Sequence, residues 1–262
     1  MLDSLVRLGL FVALTGLAFA PLERLYGRHH HGPRPERATD LCFATAGRLL
    51  VQLGMVVFVA TTLTALDRVA LDTPLLAFIE HRGLRMAAEV GFGLLIFELA
   101  GYAYHRAAHA VPALWRLHEI HHSSRRMDWL ASFRQHPLEI VLVTLFQNVP
   151  LVLLGVPLWA HAMVLLLLEL NTVFVHADLR LRRGAWMRWI ASPHFHHRHH
   201  QRDGAPVNFS AMFPWIDRLF GTFDASESGP VGLPTRCPGG FVALLVRPFS
   251  PRTSRSSSPS SG

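Results

Sequence analysis

The chain has 262 residues, half of them hydrophobic and only 16% charged, and its formal net charge is +7. This balance is far from that of a soluble domain of the same size, so we expect an integral membrane protein. All 25 basic residues are arginines, which stand between long apolar runs and not in a patch interleaved with aromatic residues. This arrangement argues against a nucleic-acid partner.

Apolar segments long enough to cross a bilayer, which takes roughly 20 residues, recur along the chain. The first, residues 5–22, ends in an A-x-A sequence like that of a signal-peptide cleavage site, but Pro21 follows directly and favours a retained span. Residues 49–66 and 86–104 are two further spans. The stretch 138–175 is broken by Gly155 and Pro157, which predicts two short antiparallel helices that either span or re-enter the membrane. We therefore predict an all-α membrane protein with three to five transmembrane helices.

The predicted hairpin at 138–175 also determines sidedness, because it returns the chain to the face from which it left. Histidine-rich segments precede and follow it, so they share that face. The segments on this face carry most of the arginines, whereas the opposite loop has only Arg68, Arg82 and Arg85. By the positive-inside rule we expect a cytoplasmic, helical, histidine-rich cap, on the bacterial inner membrane or, in a eukaryote, the endoplasmic reticulum.

Eight of the 17 histidines form three groups with helical spacing, namely His105 and His109; His118, His121 and His122; and His196, His199 and His200. Residues three or four apart share a helix face, so each group directs its imidazoles to one region. Imidazole binds iron, zinc and copper well, and Cys42 and Cys237, the only cysteines, are too dissimilar in context to suggest a thiolate site. Eight nitrogen ligands exceed what one ion accepts, so the sequence predicts two metal ions.

The isolated histidines have different expected roles. Helix phase turns His194 and His197 away from the face that His196, His199 and His200 share, so we expect both at the surface or behind the ligands. His176, at the end of the hairpin, is suitably placed for a ninth ligand. His136, at its beginning, is predicted as a ligand or as a polar support for one, and His161, inside the hairpin, as a packed and hydrogen-bonded residue.

These motifs resemble those of the fatty acid hydroxylase/sterol desaturase superfamily of membrane di-iron oxygenases. The similarity covers about residues 86–223 and rests on Tyr104-His-Arg-Ala-Ala-His109, His118-Glu-Ile-His-His-Ser123, Arg134-Gln-His-Pro-Leu-Glu139, His176, Phe195-His-His-Arg-His-His200, Asn208-Phe and Asp217-Arg-Leu-Phe-Gly-Thr222. The resemblance implies that the eight clustered histidines and His176 are metal ligands. His136, Glu139 and Asn208 would support them or act as ligands. Where some members have a histidine one turn after position 176, this chain has Arg180. Asp178 either replaces that ligand or, the reading we favour, orients an arginine.

The resemblance also implies the chemistry. Two iron ions, for which zinc can substitute, would use dioxygen and two electrons to hydroxylate or desaturate a lipid such as a sterol or fatty acyl chain. The sequence has no recognisable haem, flavin or dinucleotide-binding segment, so we expect a separate electron-transfer protein as donor. The arginine-rich face suits an acidic carrier, or its arginines only set topology and contact lipid phosphates.

Two other functions fit parts of the pattern. His118-Glu119-x-x-His122 matches the zinc metallopeptidase motif with Glu119 as general base, but this reading leaves His121 and two clusters unexplained. A histidine-lined metal transporter is the other alternative, although transport sites usually lie near the bilayer midplane and these clusters fall past the helix ends.

The domain organisation is expected to be simple. Residues 1–249 form one membrane-embedded domain, with its metal-site core at about 86–223. Residues 250–262 are mostly Ser, Pro and Arg, cannot bury a core, and are predicted to be a disordered tail.

Overall fold

The structure, a computed structural model, describes residues 2–27, 34, 36–52, 76, 78–235, 237 and 239–251. Within these ranges the chain is helical, and its only strand-like pairing is an isolated bridge between Gln201 and Val231. The all-α fold class predicted from the sequence is confirmed. The α-helices are, in chain order, α1 (Leu2–Tyr26), α2 (Arg37–Cys42), α3 (Arg82–Ala110), α4 (Pro112–His118), α5 (Pro137–Leu153), α6 (Leu158–His176), α7 (Pro193–His199), α8 (Pro214–Leu219) and α9 (Phe241–Val246).

Three of the described helices are long and apolar enough to cross a membrane: α1 from Val6 onward, α3 and α6. The predicted spans 5–22 and 86–104 fall inside α1 and α3, and both helices extend further, α1 running through Pro21 to Tyr26. Helix α2 continues through a π-helical turn at Phe43–Gly47 and on to Gln52. The rest of the predicted span 49–66 and most of the predicted tail lie outside the described residues.

The predicted hairpin is formed by α5 and α6. Gly155, with φ of 67°, supplies the left-handed backbone of the turn, and Pro157 is the N-cap of α6. Both arms pack on α3, where Phe97 contacts a buried cluster that includes Leu151 and Val164. The hairpin therefore begins and ends beside the same end of α3.

The C-terminal ends of α1, α3 and α6 meet in one region. Glu23, in the last turns of α1, accepts hydrogen bonds from the backbone N–H groups of Trp129 (2.7 Å) and Asp178 (2.9 Å). These two acceptor contacts join α1 to the loop before α5 and to the loop after α6. The loops and short helices at these ends form a cap, and the clustered histidines lie between it and the three helices.

Both flanks of the chain pack on this cap. The ring of Phe43, after α2, lies edge-on to Phe241 of α9 at 4.8 Å between centroids, and the carbonyl of Leu245 is 3.0 Å from His136 Nε2. The N-terminal and C-terminal segments therefore close over the loop between α4 and α5.

Candidate metal centre

Nine histidine side chains converge at the ends of α3 and α6 into two groups, within each of which the ligand nitrogens lie within 4.8 Å of one another. Group 1 consists of His105, His109, His118, His122 and His199. Group 2 consists of His121, His176, His196 and His200. These are the nine histidines that the sequence singled out as candidate ligands.

The division between the groups cuts across the sequence clusters. His121 belongs to group 2, whereas its neighbour His122 belongs to group 1, and His199 and His200 are divided in the same way. Neighbouring residues on a helix point about 100° apart, so one short helix can serve two sites. The groups adjoin each other, because the rings of His122 and His200 are stacked at 4.3 Å between centroids.

Local structure explains these directions. His105 and His109 lie one turn apart on α3. Helix α4 ends at His118 and is followed by a 3-10 turn at His121–Ser123, which redirects the chain between the two groups. Helix α7 begins with Pro193 after the N-cap Ser192, whose hydroxyl accepts a hydrogen bond from the Phe195 N–H at 3.3 Å.

Five of the nine imidazoles are held through Nδ1 by an acceptor: His105 by the Phe209 carbonyl (2.7 Å), His118 by Glu139 Oε1 (2.5 Å), His121 by the Arg134 carbonyl (3.1 Å), His176 by the Thr172 carbonyl (2.7 Å) and His199 by the Val207 carbonyl (2.7 Å). A backbone carbonyl can only accept, so Nδ1 carries the proton in four of these rings, and Glu139, when charged, requires the same of His118. Each neutral ring then presents an unprotonated Nε2 to its group. This is the tautomer that a metal-ligating histidine needs.

The Nε2 atoms face each other at short distances. His105 Nε2 is 3.1 Å from His118 Nε2 in group 1, and His121 Nε2 is 3.2 Å from His176 Nε2 in group 2. All four rings are fixed through Nδ1, so neither pair has a proton to share and two lone pairs meet in each. A cation between them removes this repulsion, and nitrogen donors of this type suit iron or zinc. The residues present therefore fit a metal ion in each group.

Burial favours the neutral, ligating form of these side chains. The pKa lies well below its usual range, first because burial disfavours the charged form and then because neighbouring imidazoles repel it, for His118, His121, His122, His196, His199 and His200. The histidines are therefore expected to be neutral, and neutral imidazoles have a lone pair that can bind a cation.

Comparison with known proteins identifies the family. The family model described as fatty acid hydroxylase matches residues 90–222, about half of the chain. The chain belongs to the fatty acid hydroxylase family. The match spans both histidine groups, from α3 to the loop that follows α8, and so agrees with the resemblance inferred from the motifs.

The relatives that are similar to this member of the fatty acid hydroxylase family include lipid hydroxylases and alkylglycerol monooxygenases. The ornithine lipid hydroxylase of Rhizobium tropici is 31% identical over 170 residues, which cover 63% of this chain and 51% of that protein. The human alkylglycerol monooxygenase is 30% identical over 128 residues, covering 48% of this chain and 28% of that protein. The zebrafish (Danio rerio) alkylglycerol monooxygenase is 30% identical over 136 residues, covering 51% and 30%. This chain therefore spans about half or less of the length of these relatives, and no solved structure matches it.

The four residues predicted as supports or extra ligands occupy different places. Glu139 holds His118, as described above. Asn208, at φ of 59°, donates to the carbonyls of Phe195 (3.0 Å) and Asp224 (2.8 Å), which braces the loop whose carbonyls orient His105 and His199. His136 is in neither group and lies instead against the Leu245 carbonyl, and Asp178 is also in neither group.

The three histidines set apart by the sequence lie outside both groups. His197 Nε2 is 3.1 Å from the His176 carbonyl, so it supports the end of α6 from behind this group 2 histidine. His194 contacts the Ala225 carbonyl at 3.2 Å. His161 lies between Asn148 Oδ1 (3.2 Å) and the Val156 carbonyl (3.1 Å) inside the hairpin, a packed and hydrogen-bonded position as expected.

A buried ion-pair network behind group 2 was not anticipated from the sequence. Arg134, whose carbonyl orients His121, places its Nε 2.5 Å from Asp40 Oδ1, and Asp40 also pairs with Arg34 at 2.5 Å. Arg34 reaches Asp128 at 2.7 Å. Burial raises the pKa of the Asp40 carboxyl, and the two arginines oppose this rise. The sequence does show Arg134, an arginine beside the predicted hairpin. Its partner Asp40 lies 94 residues away, so local sequence patterns could not identify the pair.

Glu119, the general base of the alternative peptidase reading, has its carboxylate 3.1 Å from Arg247 Nε. His118 and His122 share group 1 with three further histidines, so the site is not the sparse two-histidine arrangement that H-E-x-x-H alone suggests. Nothing in this geometry favours peptide hydrolysis.

A cavity of about 570 Å³ joins the histidines to the apolar helices. Members of both groups line one end of it, among them His105, His118, His121, His176 and His196. Its walls are mainly apolar and come from all of the long helices and the loop before α5, with Phe11, Phe97, Phe133, Val143, Leu168 and Val175 among the lining residues. A cavity of this size and lining suits an alkyl chain.

Proposed function

We propose that this protein is a membrane-bound oxygenase that holds one iron ion in each histidine group and hydroxylates a lipid with dioxygen. The observation that carries the proposal is the pairing of fixed, unprotonated Nε2 atoms in two adjoining groups at the end of an apolar cavity. Membership of the fatty acid hydroxylase family supports it, as does the similarity to an ornithine lipid hydroxylase and to alkylglycerol monooxygenases.

The iron ions, when bound, supply the activation of dioxygen, which no side chain of this protein provides. The chain's own residues position and shield the reacting groups. The acceptors on Nδ1 hold the imidazoles in one tautomer and orientation, and burial excludes bulk water from the histidines. The cavity aligns an alkyl chain so that one carbon lies beside both groups.

The overall reaction inserts one oxygen atom into a C–H bond and releases the other as water, which consumes two electrons and two protons. A separate electron-transfer protein would supply the electrons. We also propose the sidedness given by the positive-inside rule, with the histidine groups on the cytoplasmic side. An acidic carrier would then approach through the arginine-rich loop after α6, which contains Arg180, Arg182 and Arg183.

Residues 1–249 are proposed to act as one domain. The Asp40–Arg134 ion pair and the His136–Leu245 contact tie both flanks to the loop that carries group 2 ligand His121. The family match covers neither the N-terminal nor the C-terminal segment. Both segments nevertheless contact the loop before α5, which supports the histidine groups.

The first test compares neighbouring histidines from different groups. Purified protein should contain about two iron ions, and His199→Ala or His200→Ala should each lower the metal content, with zinc able to replace iron. Cells supplied with ¹⁸O₂ should form an ¹⁸O-labelled lipid that is lost in both variants. The matched control is His194→Ala, a histidine of the same helix outside both groups, which should retain metal and product. If no oxygen-dependent lipid appears in cells with the unaltered chain, the proposal fails.

The second test separates oxygenase from peptidase chemistry. Glu119→Gln removes the base that a metallopeptidase needs, but the oxygenase proposal gives Glu119 no part in the reaction. The ¹⁸O-labelled product should therefore persist in Glu119→Gln. Loss of this product, with iron content and melting temperature unchanged, would contradict the proposal that Glu119 takes no part in the reaction.

A further inference from the structure

Besides the histidines, the cavity lining includes the polar residues Arg48, Gln52 and Glu169, which we call the polar subsite. Arg48 follows the π-helical turn after α2, and its Nη2 lies 2.5 Å from Glu169 Oε1 of α6. The Arg48 guanidinium also lies over the ring of Phe133, at 5.6 Å from its centroid. These contacts place an ion pair in a wall that is otherwise mainly apolar.

An ion pair in such a place calls for an explanation. The side chains of Arg48 and Glu169 are only 21% and 28% exposed, and the attraction between partly buried charges is largely offset by the cost of removing them from water. Ionisable residues at membrane depth usually have a function. Moreover, Arg48 Nε is buried and has no hydrogen-bond partner among the described residues. The protein's own groups therefore do not satisfy all the polar atoms of this ion pair.

The polar subsite is aligned with the histidines along α6. Glu169, Thr172 and His176 all line the cavity, and their spacing puts them on one face of the helix. Seven residues separate Glu169 from His176, which corresponds to about 10 Å along the helix axis. A lipid with a polar group at Glu169 would thus extend several carbon atoms before reaching group 2.

The chemistry of the polar subsite selects among lipids. Arg48 and Glu169 neutralise each other, so a lone anionic group would meet the carboxylate as well as the guanidinium. The subsite presents N–H donors from Arg48 and Gln52 and oxygen acceptors from Gln52 and Glu169. The complementary partner carries both a donor and an acceptor and no net charge, as an amide or a hydroxyl-bearing glycerol linkage does.

We propose that the polar subsite binds the uncharged, hydrogen-bonding linkage of the lipid substrate and thereby determines which carbon lies beside the histidines. This inference rests on the proposed function, since it assigns a substrate class to the same cavity. The inference can be tested without catalytic activity, because recognition of the linkage is measured by binding alone.

The test is equilibrium binding of three radiolabelled probes with the same chain length to the full-length, metal-loaded protein in detergent micelles. Hexadecanamide has a donor and an acceptor, methyl hexadecanoate has only acceptors, and hexadecane has neither. The unaltered protein should bind hexadecanamide at least about tenfold more tightly than hexadecane, as expected for hydrogen bonds to charged groups. Methyl hexadecanoate should fall between the two.

The double variant Arg48→Met/Glu169→Met removes both charges and their hydrogen-bonding groups, and so leaves neither charge unpaired. It should bind all three probes with affinities within about threefold of one another, while hexadecane binding stays unchanged. Arg82→Met is the matched control, because Arg82 is an exposed arginine at the other end of α3. It should keep the preference for the amide.

Two results would overturn the proposal. The first is that the unaltered protein shows no preference for hexadecanamide. This result would contradict the proposal even if the double variant does not fold. The other is a folded double variant that keeps the full preference. If the preference is present but no ¹⁸O-labelled lipid is formed in cells, the proposed function fails and the polar subsite stands.

Discussion

At the scale of single residues, the site depends on acceptors that fix the proton on Nδ1 of each imidazole. Four of the five acceptors are backbone carbonyls, whose positions depend on the fold and not on the side chain of the residue that provides them. Glu139 is the exception, since its carboxylate holds His118 at 2.5 Å. It can therefore be tested by substitution without altering a ligand.

Glu139→Leu should weaken metal binding in group 1 by about 10- to 100-fold, because His118 loses the acceptor that fixes its tautomer. Glu139→Gln removes the same charge but keeps an oxygen acceptor, so its loss should be smaller. Metal retained after dialysis against increasing chelator concentrations measures both. Equal losses in the two variants would show that charge, not orientation of His118, is what Glu139 contributes.

At the scale of secondary-structure elements, α2 stabilises a loop that lies far from it in sequence. Asp40 is fully buried and binds Arg134, which directly follows the 3-10 turn Trp129–Phe133 and whose carbonyl holds His121. The family match begins only at residue 90, so this connection reaches beyond the matched region. Helix α2 is thus part of the support for group 2.

Asp40→Asn should destabilise the protein by about 3 kcal/mol, because it removes the closest counter-ion of the buried Arg134 guanidinium, which keeps only the longer pair with Glu36 at 3.3 Å. Group 2 should lose metal before group 1, since only His121 depends on the Arg134 carbonyl. The melting temperature and metal content in detergent measure these effects. Glu227→Gln, which breaks the exposed pair with Arg183, is the control and should cost less than about 1 kcal/mol. A similar loss in both variants would contradict this role of Asp40.

Comparison of the elements with the sequence shows which features local patterns can predict. Gly155 and Pro157 identified the break between α5 and α6, because both residues restrict the backbone locally. Helical spacing also singled out eight of the nine histidines that converge, and the place of His176 at the end of the hairpin singled out the ninth. Helical spacing did not predict their division, which depends on the 3-10 turn at His121–Ser123 and on how α4 and α7 are oriented toward each other. The Asp40–Arg134 ion pair could not be predicted from local patterns either, since 94 residues separate its members.

At the scale of the whole molecule, the histidine groups lie at one end of the membrane helices, and the cavity extends from them between the apolar walls. Glu23, His109 and His176 mark this end on α1, α3 and α6. On the proposed function, a lipid would enter from the bilayer and electrons would arrive from the aqueous side through the cap. This division of access requires that the cap and the start of α3 lie on opposite sides of the membrane.

Labelling of single cysteines tests that requirement. Glu227→Cys places a thiol on the exposed loop of the cap, and Arg82→Cys places one at the opposite end of α3, in chains whose two native cysteines are replaced by alanine. A membrane-impermeant maleimide should label Glu227→Cys only in inverted vesicles and Arg82→Cys only in intact spheroplasts, because the arginine-rich cap is expected on the cytoplasmic side. The reverse pattern would place the histidines outside and remove cytoplasmic electron carriers as donors. Labelling of both cysteines from one side would contradict the membrane crossing by α3 itself.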